Sequence, residues 1–168
     1  HVVCLFPGLK EADAFSALVR EKLPPIENNP AVFGPQLYMD EEERVLGEET
    51  AFLAGASSIG IYDTAALAAS FGGVAFPAHI DRPSFSLLAN LGLWDPAMGF
   101  STAEISRNCP PDLFDRPDLR GVPHFDGSDA HYLDQIRDAH QYMALPARTP
   151  QAVLAWLRAG IPPSDGIS

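Results

Sequence analysis

The chain has 168 residues, of which 46% are hydrophobic and 20% are charged, and this composition is typical of one globular domain with its own core. The formal net charge of -11 argues against a broad nucleic-acid-binding surface, because such surfaces depend on clustered Lys and Arg. The two cysteines, Cys4 and Cys109, are too few for a disulfide framework. So few cysteines are typical of a reducing, cytoplasmic setting. The apolar stretches are too interrupted for a membrane span, and the chain shows no secretory signal, so we expect neither.

Apolar spacing and turn residues divide the chain into strands and helices. In chain order, we predict a strand over residues 1–6, a helix over 10–23, a hairpin of strands over 37–39 and 44–46, a helix over 61–71, a strand over 74–76, a helix over 84–91, strands over 102–106 and 124–126, one or two helical turns over 132–137, a strand over 141–145 and a helix over 150–160. Pro24-Pro25 ends the first helix, Gly72-Gly73 ends the second, and Thr149 with Pro150 begins the last.

The repeated order of strand, polar residue and helix predicts a parallel α/β arrangement, in which functional groups gather at the carboxyl ends of strands. We assign residues 1–160 to one domain and residues 161–168 to a flexible tail. The chain opens inside an apolar strand, so we expect it to be part of a longer protein.

Side chains that commonly bind metals follow two of the predicted strands. His79 comes shortly after the strand over 74–76, and Asp129 and His131 come after the strand over 124–126. Residues two apart in an extended segment lie on the same face, so the Asp129 carboxylate and the His131 imidazole would reach the same cluster of ions. A single His after a strand is more often structural, but the two segments together indicate a metal site.

These segments resemble the second half of the PHP family, named for polymerase and histidinol phosphatase. The resemblance rests on Pro77-Ala78-His79 and, about fifty residues later, Ser128-Asp129-Ala130-His131; the wider segments 1–7, 72–83 and 103–106 are similar to stand-alone bacterial members, so that it covers essentially the whole chain. It implies part of a distorted, TIM-like (β/α)7 barrel whose first strands are missing from this chain. It also implies two or three zinc, manganese or iron ions and the hydrolysis of phosphate esters.

The resemblance gives each matched residue a role in the metal cluster. His1 and His79 would bind one metal ion together, Asp129 would bind a second, and His131 a third. Such a cluster would activate water as the nucleophile and stabilise negative charge on the phosphoryl oxygens. Nitrogen-rich ligands favour transition metals over magnesium.

Two arginines and one glutamate are further candidates. The guanidinium groups of Arg82 and Arg107 match the oxygens of a phosphate, although ion pairing at the surface is the simpler interpretation of both. The family's opening His-x-His motif and its bridging glutamate are not found in the sequence, and Glu104 does not replace that glutamate because it lies in a later strand. We therefore expect this chain alone to be inactive and the function to belong to the intact molecule.

Other residues of similar chemistry receive structural interpretations. His124 begins a strand ahead of the proposed metal ligands, and His140 lies beyond the turn that follows them. Cys109 has no His or Asp at a spacing typical of an activated nucleophile, so we interpret it as an ordinary thiol. Asp81, close to His79, either orients an imidazole or is exposed to solvent.

Two functional hypotheses follow. The first is a metal-dependent phosphoesterase that hydrolyses a nucleotide, a sugar phosphate or a short nucleic-acid end with a metal-activated water. The alternative is a degenerate, non-catalytic PHP domain with a structural role in binding a metal or a partner. The sequence leaves the substrate, the metal and the oligomeric state open.

Overall fold

The computed structural model describes residues 1–138 and 142–160. In chain order, the elements are β1 (Val2–Leu5), α1 (Leu9–Glu21), α2 (Pro30–Phe33), β2 (Leu37–Met39), β3 (Val45–Glu48), α3 (Ile61–Ser70), β4 (Val74–Pro77), α4 (Leu87–Leu91), β5 (Ala103–Ser106), β6 (His124–Gly127) and α5 (Pro150–Arg158), with 3₁₀ turns at Pro96–Met98, Leu113–Asp115 and Leu133–Gln135. The chain divides into two compact units, one made of residues 1–14 and 61 onward, the other of residues 15–60. Among the helices described, none has the length and apolarity needed to cross a membrane.

Most of the predicted helices and strands are present with similar bounds. The side chain of Thr149 caps α5 and Pro150 is its first residue, as the sequence predicts. The predicted strand over 141–145 is wrong for residues 142–145, which have no regular structure, and Tyr142 and Met143 there are exposed rather than packed in a sheet. Residue 141, His140 and the proposed tail over 161–168 lie outside the described residues.

The first unit contains two pairs of strands. β1 runs antiparallel to β4, with Val2 opposite Pro77 and Leu5 opposite Val74. β5 runs parallel to β6, in a register that begins with Ala103 opposite His124. A backbone hydrogen bond of 2.9 Å from Ile80 to the carbonyl of Glu104 joins the chain just beyond β4 to β5. The ends of β4, β5 and β6 are thereby connected.

The predicted TIM-like barrel is wrong. Within the described residues, the strands form three separate two-stranded sheets, and β5 with β6 is the one parallel pair among them. The apolar run over residues 1–6 predicts a strand correctly, but β1 pairs antiparallel with β4 and does not fit the predicted parallel arrangement. Apolar side chains determine which strand faces are buried, whereas the direction of pairing depends on how the intervening chain returns.

The apolar core of the first unit is built around β4, whose four residues are all buried. Val74 and Phe76 cluster with Leu154 and Leu157 of α5. Burial of each such large side chain stabilises the fold by about 1.5–3 kcal/mol. β4 is therefore firmly held, and so is the start of the segment that follows it.

The second unit contains the β2–β3 hairpin and a buried carboxylate, that of Glu49, which is only 5% exposed. The guanidinium of Arg20 donates to both carboxylate oxygens, and the hydroxyl of Tyr38 and the backbone nitrogen of Ala51 donate from 2.7 and 2.8 Å. These donors stabilise the ionised form, with Arg20 contributing most, and they lower the pKa of Glu49 to about 2.

We predict that Glu49→Gln lowers the melting temperature of the protein by several degrees, because an amide accepts fewer of these bonds and carries no charge for Arg20. The pKa of Glu49 lies below the ordinary 4.5, so its contribution to stability is complete above about pH 4.5 and is lost as the pH falls toward 2. Thermal unfolding followed by circular dichroism from pH 7 to pH 2.5 tests both statements.

The matched control is Glu48→Gln, because Glu48 is the neighbouring residue and is exposed. It should leave the melting temperature and its pH dependence close to wild type. Equal effects of the two substitutions would contradict the role given to Glu49.

Candidate functional site

His79 lies two residues beyond β4 in an unusual backbone conformation. Its φ is +32°, in the left-handed region, and its side chain is only 4% exposed. The peptide groups on both sides are fixed, because Ala78 donates to the carbonyl of His1 at 3.1 Å and Ile80 donates to the carbonyl of Glu104 at 2.9 Å. Left-handed backbone is costly for a residue with a side chain and persists where the surroundings hold it. Here the surroundings are β1 on one side and β5 on the other.

The imidazole rings of His1 and His79 face each other. His1 Nδ1 lies 3.3 Å from His79 Nε2, and the rings meet edge to face at an interplanar angle of 70°. This separation allows an N–H···N hydrogen bond. It also matches two ligands of a tetrahedral zinc ion, because bonds of about 2.0–2.1 Å place two ligand nitrogens about 3.3–3.4 Å apart.

The second ring nitrogen of His79, Nδ1, is buried without a hydrogen-bond partner among the described residues. Such a group costs free energy, and in native proteins it usually has a functional or structural explanation. The contact of Nε2 with His1 and the buried Nδ1, unpaired among the residues described, therefore distinguish His79 from a histidine that only packs in the core.

Three carboxyl groups lie on β5 and on the segments that follow β4 and β6. Asp81 accepts hydrogen bonds from the backbone nitrogen and the hydroxyl of Ser106, at 2.7 and 2.5 Å, and so joins the loop after β4 to the end of β5. The pKa of the half-buried Glu104 is raised, first by burial and then by the charges of Asp129 and Asp81. Both of these Asp81 contacts are to Ser106 and neither is to an imidazole, and Glu104 contributes a third acidic group.

The other two predicted ligands make different contacts. The carboxylate of Asp129 forms an ion pair with Arg82. His131 is exposed, its Nδ1 lies 2.8 Å from the backbone carbonyl of Asp129, and its backbone nitrogen donates to the side chain of Gln135. The expectation that Asp129 and His131 share one face assumed extended backbone, but φ of Asp129 is +46°. Arg107 is exposed at the end of β5.

Within residues 1–138 and 142–160, no three His, Cys, Asp or Glu side chains come close enough together to hold a metal ion. Of the four predicted ligands, the structure thus brings His1 and His79 together and leaves Asp129 and His131 in other contacts. The described residues fit two ligand positions of one metal ion and do not fit a complete cluster of two or three.

His124 makes contacts of a structural kind. Its ring stacks on Phe114 with a centroid separation of 3.7 Å, and its Nδ1 lies 3.0 Å from the carbonyl of Val122. It therefore serves as a natural control for experiments on His79.

No protein-family model, curated protein or solved structure matches the chain. The resemblance to the PHP family therefore depends on the sequence segments given above.

Sequence reasoning missed one residue at the site, Phe85. Its ring stacks on His1 with a centroid separation of 5.3 Å and an interplanar angle of 13°. Nothing in the sequence around position 85 distinguishes this phenylalanine from an ordinary surface or core aromatic residue.

Burial raises the pKa of the Cys109 thiol to about 11, with a smaller contribution from the charge of Asp81. We predict that, in a Cys4→Ser background, alkylation of Cys109 by iodoacetamide accelerates about tenfold per pH unit up to pH 10 without a plateau, because the thiolate is the reactive form. Asp81→Asn should increase the rate at each pH, since it removes a negative charge. A plateau at or below pH 9 would contradict this assignment and would make Cys109 a candidate nucleophile.

Proposed function

We propose that this chain forms part of a divalent-metal-dependent phosphoesterase of the PHP type, in which His1 Nδ1 and His79 Nε2 bind the same metal ion. The observation that carries the proposal is the separation of 3.3 Å between these two nitrogens. Zinc usually has four ligands in proteins, so the pair supplies two, and water, substrate or further protein ligands supply the rest. Manganese and iron suit the same imidazole ligands.

The carboxyl groups of β5 and of the segments that follow β4 and β6 favour a cation in this part of the unit. Asp81, Glu104 and Asp129 lie close enough for the charges of the two aspartates to raise the pKa of Glu104. A cation between such groups relieves their mutual repulsion. The same negative potential disfavours a phosphate in the absence of the metal.

Arg82 is the proposed contact for the phosphate group. Its backbone nitrogen donates to the carbonyl of His79 at 3.0 Å, which keeps the two backbones together, and its guanidinium already binds the carboxylate of Asp129. A phosphate can offer two oxygens to a guanidinium, as a carboxylate does, and would take its place. The carboxylate of Asp129 would then be released for the metal. Arg107 remains a proposed second contact.

A divalent metal ion held by His1 and His79 would supply Lewis-acid stabilisation of phosphoryl charge and would lower the pKa of a bound water. The protein's own contribution is to fix the two imidazoles and to orient the ester through Arg82. The substrate is proposed to be a nucleotide, a sugar phosphate or a short nucleic-acid end.

A non-catalytic metal-binding domain is the second candidate. It is favoured by the ion pair of Asp129 with Arg82 and by the lack of a third ligand near His1 and His79 among the described residues. Metal binding without phosphate release would distinguish this candidate from the first.

We predict that His79→Asn weakens Zn²⁺ binding by at least about 100-fold, because it removes a direct ligand, whereas loss of an outer partner already costs about 10- to 100-fold. Asn tolerates left-handed backbone, so the fold should persist. Isothermal titration with Zn²⁺ measures the affinity, and a phosphate-release screen over nucleotides and sugar phosphates measures activity.

His124→Asn is the matched control and should bind Zn²⁺ like the wild type. Wild-type affinity in His79→Asn, with its circular dichroism spectrum unchanged, would refute the assignment of His79. Zn²⁺ binding by the wild type without turnover of any ester would favour the non-catalytic candidate.

A further inference from the structure

Burial of the Phe85 side chain does not explain the backbone conformation of this residue. Its φ is +55°, and its side chain is 67% exposed. Left-handed backbone is rare for a bulky residue and costs free energy. An exposed aromatic ring in such a conformation gains little from burial that would offset this cost.

The conformation allows Phe85 to hold His1 in two ways. Its carbonyl accepts a hydrogen bond of 2.7 Å from the amino-terminal nitrogen of His1. Its ring lies nearly parallel to the imidazole of His1, at an interplanar angle of 13°. The backbone of His1 and the plane of its ring are therefore both held by one residue.

The neighbouring residue prevents the strained backbone from relaxing. Ser86 is buried, its hydroxyl donates to the carbonyl of Arg82 at 2.5 Å, and the same oxygen accepts from Ala89 at 3.1 Å to cap α4. This cap fixes the chain immediately after Phe85. The loop between His79 and α4 is thus held at both ends.

Strained residues are concentrated at this site. The structure describes four non-glycine residues with positive φ, and three of them are His79, Phe85 and Asp129. The fourth, Glu43, lies in the turn of the β2–β3 hairpin, where left-handed residues are common. Asp and His adopt left-handed backbone more readily than most residues, so the conformation of Phe85 is the unusual one and motivates a functional hypothesis for that residue.

We propose that Phe85 is a positioning residue, which holds the His1 imidazole with its Nδ1 directed at His79 Nε2. This inference depends on the metal pair of the proposed function. An imidazole otherwise rotates about two side-chain bonds, and fixing it in advance reduces the entropy that metal binding would cost. Outer groups that orient a metal-binding histidine have the same effect.

The test compares three substitutions with the wild type. Phe85→Ala and Phe85→Gly remove the ring, whereas Phe85→Tyr keeps it. We expect Zn²⁺ affinity to fall by about 10- to 100-fold in the Ala and Gly variants and to stay within about threefold of wild type in the Tyr variant. The matched control is Phe33→Ala, because Phe33 is also exposed and lies in the other unit.

Comparison of the Ala and Gly variants also separates the effect of the ring on Zn²⁺ affinity from the effect of backbone strain on stability. Gly adopts positive φ without strain, so Phe85→Gly should melt a few degrees above Phe85→Ala although both bind Zn²⁺ equally weakly. A residue with only a structural role would change affinity and melting temperature in parallel. Recovery of affinity along with stability in Phe85→Gly would therefore overturn the positioning role.

A readout without metal distinguishes failure of this inference from failure of the proposed function. In the metal-free wild type, stacking on Phe85 should shift the ring-proton NMR signals of His1 upfield, and Phe85→Ala should abolish the shift while Phe33→Ala preserves it. Signals unaffected by Phe85→Ala would overturn the inference, as would Zn²⁺ binding unaffected by it. A wild type that shows the shift but binds no Zn²⁺ would overturn the metal-binding role of both Phe85 and the pair.

Discussion

The two backbone hydrogen bonds that flank His79 are the constraint on which the site depends. The bond from Ala78 to His1 attaches the end of β4 to β1, and the bond from Ile80 to Glu104 attaches it to β5. Between them His79 is held in left-handed backbone, buried, with its Nε2 facing His1. The core under β4 supports this arrangement, because the free energy of apolar burial there exceeds the cost of one strained residue.

Local signals in the sequence were sufficient for much of the secondary structure. Thr149 followed by Pro150 marks the start of α5 through capping and a fixed φ, and both act within one helical turn. The pairing of β1 with β4 depends instead on residues about 70 positions apart, whose direction no local pattern specifies. The barrel prediction failed at this point, although the strands themselves were predicted.

At the candidate site, too, local sequence patterns do not specify the contacts between distant residues. The proximity of His1 and His79 is a contact between residues 78 positions apart, which no local pattern specifies. The same-face argument for Asp129 and His131 assumes extended backbone, and the positive φ of Asp129 does not satisfy that assumption. The ion pair of Arg82 with Asp129 and the stacking of Phe85 on His1 are tertiary contacts, so spacing along the chain did not predict them.

The central claim is that His1 and His79 bind one metal ion together. Anomalous diffraction at the zinc absorption edge, from crystals of the protein grown with Zn²⁺, tests it most directly because it locates the ion. The account predicts a peak about 2.0–2.1 Å from both His1 Nδ1 and His79 Nε2. A peak on other residues, with the two imidazoles still hydrogen-bonded to each other, would contradict it.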